Sequence, residues 1–449
     1  MATLAIVGGV IWYLLNTTTD PDLDDTITVL TNTVEDIASV HVVNEKGDYY
    51  VETDDSDIGY HCETIDGLPQ LKSSYISLLE AVAGIQATSE YPNSDLKRYG
   101  LDVPMATADV TLTDGSTYTV SIGSKAPSEN YIYFTVSDAP DTVYTARMSK
   151  FLPLLTDAYG LVNKLLAPKT ESPRAGNDET DTADWLEYTT SDGTRFRLEQ
   201  LFPAYVDGAG NSYRFHQTAP VDGYVQASKA METFSRVMQF CASSVRVYHP
   251  SEEQIAECGL LEPETELVLA YRDDVAVIHL SKAPNGDYYA IKDGVDVIWN
   301  IADYMVTWLD VQPRTMISSY LLAPPMSEVA SLEIDAFGDH FSFDIADGVV
   351  TSQGVEMNTS DFKRFYELAC SVNSQNVSED TPGETVASIR FTLNDGTVRT
   401  AELSELGNRV LKIAVDGQDM GLTIREAYAE TLHDAAGAVI DKQSFSTNW

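Results

Sequence analysis

The sequence predicts an α+β fold: tandem repeats of antiparallel β-sheet packed by helices, two similar units followed by a shorter third. Three observations predict it. The first is a set of matched segments. "RYGLDVP" (Arg98 to Pro104) pairs with "ECGLLEP" (Glu257 to Pro263), "SKAP" at Ser124 recurs at Ser281, and "NKLLAP" (Asn163 to Pro168) pairs with "SYLLAP" (Ser319 to Pro324). These matches keep their order and nearly one offset, which an internal duplication explains and chance does not. The second is an alternation of β-rich hairpins with runs of helical spacing. The third is the Asp114-Gly115 pair between two β-rich runs, a hairpin signal.

Unit one, residues 27–168, opens with "SVHVVNEKGDYYVE", two β-rich runs around a Lys-Gly-Asp turn. "SYISLLEAVAGI" follows with apolar residues near a 3.6 period, which predicts a helix. The Tyr-Gly-Leu segment comes next, then the hairpin "ADVTLTDGSTYTVSIG". Its Asp114-Gly115 reads as a type I′ turn, with both central residues at positive φ. SKAP then forms a loop before the strand "YIYFTV", and "TVYTARMSKFLPLL" closes the unit as strand and helix.

Unit two, residues 169–324, begins with a polar linker to about residue 184 inside "APKTESPRAGNDETDTAD" (Ala167 to Asp184). Its opening hairpin is "WLEYTTSDGTRFRLEQ", its helix "KAMETFSRVMQFCASS", its second hairpin "TELVLAYRDDVAVIHL", and after SKAP come the strands of "DYYAIKDGVDVIWNI". "APPM" (Ala323 to Met326) marks the next boundary. Unit three, residues 325–449, has the strands "VASLEIDAFGDHFSFDIADGVV", the helix "TSDFKRFYELACSV" and the hairpin "ASIRFTLNDGTVRTAEL", without the Tyr-Gly-Leu segment or SKAP. Lys125 and Lys282 in SKAP could each hold an anion; loss of the segment from unit three favours plain exposed loops instead.

Residues 1–26 read as an N-terminal membrane anchor followed by an acidic stalk. Ala2 to Leu15 is nearly all apolar, Trp12 and Tyr13 form an interfacial aromatic pair, and Asp20, Asp22, Asp24 and Asp25 follow. At about 1.5 Å per residue the apolar run reaches about 21 Å, short of a roughly 30 Å hydrocarbon core, so the anchor is expected to lack its first residues. The alternative is a buried N-terminal helix or strand. No basic residue precedes the run and no cleavage pattern follows it, so a signal peptide fits poorly.

The chain of 449 residues carries 69 acidic against 28 basic residues, a net charge of −41. That argues against nucleic acid as a partner and against docking on anionic head groups. Either an exported protein or a salt-loving host would account for the acidity. The four cysteines, Cys62, Cys241, Cys258 and Cys370, form no CxxC. Cys241 and Cys370 fall in apolar helical stretches and read as small buried hydrophobes; a Cys241–Cys258 disulfide has only proximity behind it.

No cofactor, metal site or catalytic residue is predicted. The histidines at 41, 61, 216, 249, 279, 340 and 433 never stand at HxxxH or HExxH spacing. There is no GxSxG, no phosphate loop and no dinucleotide fingerprint; "GAGNS" near Gly208 is too short for one. "DPDLDD" and "NDETDTAD" lack the glycine and bidentate glutamate of a calcium loop. Among 69 acids no pair is singled out for glycoside hydrolysis. The 24 tyrosines, with "DYY" at Asp48 and again at Asp287, fit half-buried strands, or a groove for peptide or glycan.

The run "YGLDVP…VTLTDGSTYTVSIG…YIYFTV…VYTARMSKFLPLL" resembles the family catalogued as domain of unknown function number 4340. Unit one carries the resemblance well. Unit two carries it more weakly, with Cys258 in place of the tyrosine and Asp273-Asp274 in place of Asp-Gly, and unit three matches only in general pattern. The resemblance implies a bacterial membrane-anchored protein occurring with ABC-2-type export systems, and it supplies no catalytic residue. The expected function is therefore a membrane-anchored extracytoplasmic scaffold or binding protein, an accessory subunit that meets the permease or ATPase of an exporter. The alternatives are an extracellular enzyme on glycan or peptide, which needs two carboxylates in one cleft, and a solute-binding protein, which needs a closable interdomain cleft.

Overall fold

The computed structural model describes residues 26–449 apart from 93–94, 128–129, 169–181, 209, 319 and 373–375. The expected anchor with Trp12 and Tyr13, its acidic stalk, and most of the linker lie outside the described residues. The fold mixes α and β and is mostly antiparallel sheet. The chain forms two compact bodies, Met1–Lys164 and Leu165–Trp449, the second taking in both the expected second and third repeats; they are called unit one and unit two from here on.

Unit one holds an eight-stranded sheet, among the described residues, in the spatial order Tyr60–His61, Gly47–Thr53, Ile37–Asn44, Ala106–Leu112, Thr117–Lys125, Tyr131–Val136, Thr142–Arg147, Ser89–Pro92. A short ladder pairs Ile27–Thr28 with Gln86–Ala87. Helix α1 (Lys72–Val82) lies between the two meanders in sequence and buries Tyr75, Leu78, Leu79, Ala81 and Val82. The alternation in "YIYFTV" is obeyed: Ile132, Phe134 and Val136 are buried and their neighbours half-buried. Phe134 meets Phe151 at 5.0 Å between ring centroids, so the segment after the last strand closes this core.

Unit two holds two sheets, each nine-stranded among the described residues. The first centres on the pair Trp185–Thr190 and Thr265–Tyr271 and ends at the edge strand Ser244–Tyr248; the second centres on Val329–Ala336 and Thr385–Leu393 and ends at Asn376–Val377. In all three large sheets an opening meander is followed by a helix and an edge strand. The second meander then pairs its first strand with the first strand of the opening one. The helices are α2 (Ala227–Met238) and α3 (Thr359–Ala369), and the last sheet gains α4 (Glu426–Ile440). Asn358 caps α3, its side-chain oxygen accepting from the amides of Ser360 and Asp361. The shortening expected of the third unit falls on the Tyr-Gly-Leu segment and not on the sheet.

The Asp-Gly turn differs from the expected type I′. Only Gly115 has a positive φ, 87°; the Gly115 amide donates to Leu112 O at 2.9 Å and the Leu112 amide to Ser116 O at 2.8 Å. This is a type I turn closed by a left-handed glycine. The reason is the aspartate: Asp114 Oδ1 accepts from the Ser116 amide at 2.8 Å, which holds Asp114 out of the left-handed region. Asp192 and Asp395 do the same, accepting from Thr194 N at 2.9 Å and Thr397 N at 2.8 Å. The Ser116 hydroxyl on Asp114, the Thr190 hydroxyl on Asp192 and the Thr397 amide on Asp395 lead in holding these three exposed carboxyls below their ordinary range, with the turn amides adding to the first two.

The two shared motifs prove to be one contact. In "YGL" the Leu101 amide donates to Leu96 O and the Gly100 amide to Lys97 O, a Schellman ending with Gly100 at φ 70°. Leu260 to Ile255 O and Gly259 to Ala256 O repeat it. Each glycine lies against the serine of SKAP, and that serine's hydroxyl donates back, Ser124 to Tyr99 O at 3.0 Å and Ser281 to Gly259 O at 2.8 Å. Ser-Lys therefore ends a strand, and only Ala-Pro begins the loop. Tyr99 and Leu101 cluster with Val143, as Cys258 and Leu260 do with Ile298. Cys241 lies just past α2 and not within a helix, and the four cysteines are free thiols, so Cys241 and Cys258 are not bridged.

Candidate functional site

Unit two has a cleft between its two sheets. Tyr205, Tyr213 and Tyr224 stack on one wall, with Tyr205–Tyr224 centroids 4.3 Å apart and Tyr213–Tyr224 5.1 Å. Arg399, Asp416, Gln418 and Met420 form the other wall, and Tyr320–Pro324 the floor. Two hollows of about 190 and 270 Å³ share Tyr224, Leu321 and Arg399. Three carboxylates here, Asp207, Asp416 and Asp222, have fixed partners. Asp207 accepts from the Asn211 amide at 2.8 Å, Asn211 Nδ2 at 2.9 Å and Tyr213 OH at 2.9 Å. Asp416 accepts from Arg399 Nε and from the Thr400 amide. His216, 3.3 Å away, holds the Asp222 carboxyl below its ordinary range, with Arg399 adding to the effect. Burial pushes the Tyr213 hydroxyl up to about 12 and raises Tyr205 and Tyr224, so these tyrosines keep their protons. Gln418 Nε2 donates to Pro220 O at 3.0 Å, and Arg314 to Asp419 O at 3.2 Å. The arrangement clamps one sheet to the other.

Unit one carries a larger open groove of about 940 Å³. Helix α1 supplies Ser73, Ser74, Ser77, Leu78 and Ala81 along one side. Thr31–Val34 flank it, and the segment after the last strand supplies Ser149, Lys150, Leu152, Pro153, Leu161 and Lys164. Two lysines mark opposite ends. Lys150 Nζ donates to Ala83 O at 3.1 Å, at the C-terminal end of α1, and its desolvation lowers its pKa. Lys164 follows Asn163, whose amide donates to Pro69 O at 2.7 Å, and so sits at the N-terminal end of α1. Neither Lys164 nor the Ser73, Ser74 and Ser77 hydroxyls have a protein partner among the described residues.

The sequence pointed to other side chains. Tyr49 is core, Tyr50 stacks on His41 at 4.0 Å, and Tyr288 and Tyr289 face Lys282 and Arg246. Lys125 and Lys282 are exposed strand-end residues. A partial signal for the groove was present in "SSYIS", where Ser73 and Ser77 fall on one helical face. Among the described residues no group of three metal-ligating side chains forms, and no helix is long and apolar enough to cross a membrane.

Histidines on the sheets face carboxylates instead: His41 with Asp48, His249 with Asp296, His279 with Asp293, His340 with Asp335. On α4, His433 Nε2 lies 2.9 Å from Asp339 and Nδ1 3.1 Å from Asp434; the Asp339 bond, with Asp434 adding, raises its pKa. A raised folded value contributes stability that is full below the unfolded value of about 6.5 and fades as pH rises through the folded one. His433→Gln is therefore expected to cost about 0.5–1 kcal/mol more in urea unfolding at pH 5.5 than at pH 9. An equal cost at both would remove the ionic account.

Comparisons with curated proteins and with solved structures return no match. Residues 67–201, running from just before α1 through the second strand of the next sheet, match the model of the family described as Domain of unknown function (DUF4340).

Proposed function

We propose that this chain is a membrane-anchored extracytoplasmic scaffold that binds a partner through unit one, as an accessory subunit of an ABC-type exporter. The observation that carries the binding role is the open groove along α1, with hydroxyls and a lysine that have no protein partner among the described residues. The strand order common to the three sheets supports reading them as copies of one unit, the third having lost its Schellman segment. Residues 1–26 supply the anchor and its acidic stalk, and the bulk of the chain faces away from the cytoplasm, in keeping with its net charge of −41. The partner is the permease or ATPase of the exporter, which the family resemblance suggests.

Crosslinking in intact membranes, purification in mild detergent and mass spectrometry test this. The expected result is co-purification of an ABC permease and its ATPase. A chain that purifies alone overturns the accessory role.

A further inference from the structure

The unit-one groove has a length and a charge pattern that select one kind of occupant. It follows α1, whose 11 residues at about 1.5 Å each span roughly 16 Å. Its two lysines sit at opposite ends, Lys150 beside Ala83 and Lys164 beyond Leu161, whose carbonyl accepts from the Leu71 amide at 3.0 Å. Between them lie small or hydroxylated side chains, Ser73, Ser77 and Ala81, over apolar Leu78. A lone phosphate is far too small to reach both ammonium groups. An extended chain at about 3.3 Å per residue covers the same span in about five residues. The lining contains no aromatic ring to stack on a base or a sugar face. Glu80 offsets one lysine, so the groove is locally positive in a chain of net charge −41. The remote acids are screened beyond about 8 Å at physiological ionic strength, which leaves the local lysines in control.

We infer that this groove binds an extended acidic peptide segment of about five residues, one carboxylate on Lys164 and another on Lys150, with the peptide backbone on the α1 hydroxyls. The inference deepens the scaffold reading by naming the chemistry its partner would present. It is tested on purified protein, so its failure and that of the exporter assignment are separate results.

The probes are fluorescein-labelled Asp-Ala-Ala-Ala-Asp and its Asn-Ala-Ala-Ala-Asn counterpart, followed by anisotropy against the full chain. The acidic peptide is expected to bind at least tenfold more tightly, with affinity falling as salt rises. Lys164→Gln is expected to lower that affinity about tenfold. Ser77→Trp, at an exposed groove position, is expected to abolish binding without unfolding the protein. Equal affinity for both peptides, competition by inorganic phosphate at millimolar level, or undiminished binding by Ser77→Trp would each overturn the inference, as would no binding by either peptide.

Discussion

Trp308→Ala is expected to destabilise unit two by about 4 kcal/mol, the range for emptying a large aromatic site. Trp308 is 1% exposed and packs on Tyr188 at 5.6 Å and Phe240 at 5.9 Å between centroids. It comes from the segment Asp303–Asp310 after the last strand of its sheet, so it joins that segment to the opening strand and to the end of α2. Its indole nitrogen is buried with no hydrogen-bond partner among the described residues. Trp308→Phe is therefore expected to cost less than half as much, because most ring contacts survive and an unpaired donor, worth about 1–3 kcal/mol of penalty, is removed. Urea unfolding of both variants checks this; equal losses would mean that the indole N–H is satisfied after all.

The second large effect is at Gly100. Gly100 and Gly259 share a φ of 70°, where a Cβ costs roughly 1–2 kcal/mol. They differ in what that Cβ would meet. At Gly100 it would come within 2.8 Å of the Ser124 backbone nitrogen, main chain that yields less easily than a side chain although it lies in the irregularity between Ile122 and Lys125. At Gly259 it would meet the Ser281 side chain at 3.4 Å, a contact that relaxes easily. Gly100→Ala is expected to cost about 3 kcal/mol and to lower the unit-one transition by roughly 10 °C in calorimetry. Gly259→Ala should cost only the backbone preference, about 1 kcal/mol. Similar losses at the two sites would show that the strand at Ser124 gives way.

Much of the fold was legible because its determinants are local. Alternation exposed "YIYFTV", the 3.6 period exposed α1, and the paired motifs drew attention to the contact between Gly100 and Ser124. The turn type was misread because Asp-Gly serves two hairpin geometries. Which one forms depends on the hydrogen bond from the Ser116 amide to Asp114. The placement of the tyrosine clamp was not legible. Tyr205, Tyr213 and Tyr224 come from three strands whose stacking depends on register, with shifts along the pairing of Arg195–Val206 with Ser212–Ala219. The groove was hidden for a similar reason: Lys150 and Lys164 reach α1 only through tertiary packing, and a lysine in sequence does not announce the cavity it borders.

Among the described residues, each large sheet is built from one continuous stretch of chain, 37–147, 185–301 and 329–425, and none borrows a strand from another. Within each, the adjacent-strand hairpins form early, and the central ladder, such as Ile37–Asn44 with Ala106–Leu112, must wait for about sixty residues of intervening chain. Once that ladder closes, the sheet has no open strand awaiting a later segment. A chain emerging from its N-terminus can thus complete one sheet before the next begins, with no central strand left waiting for a partner still to be made.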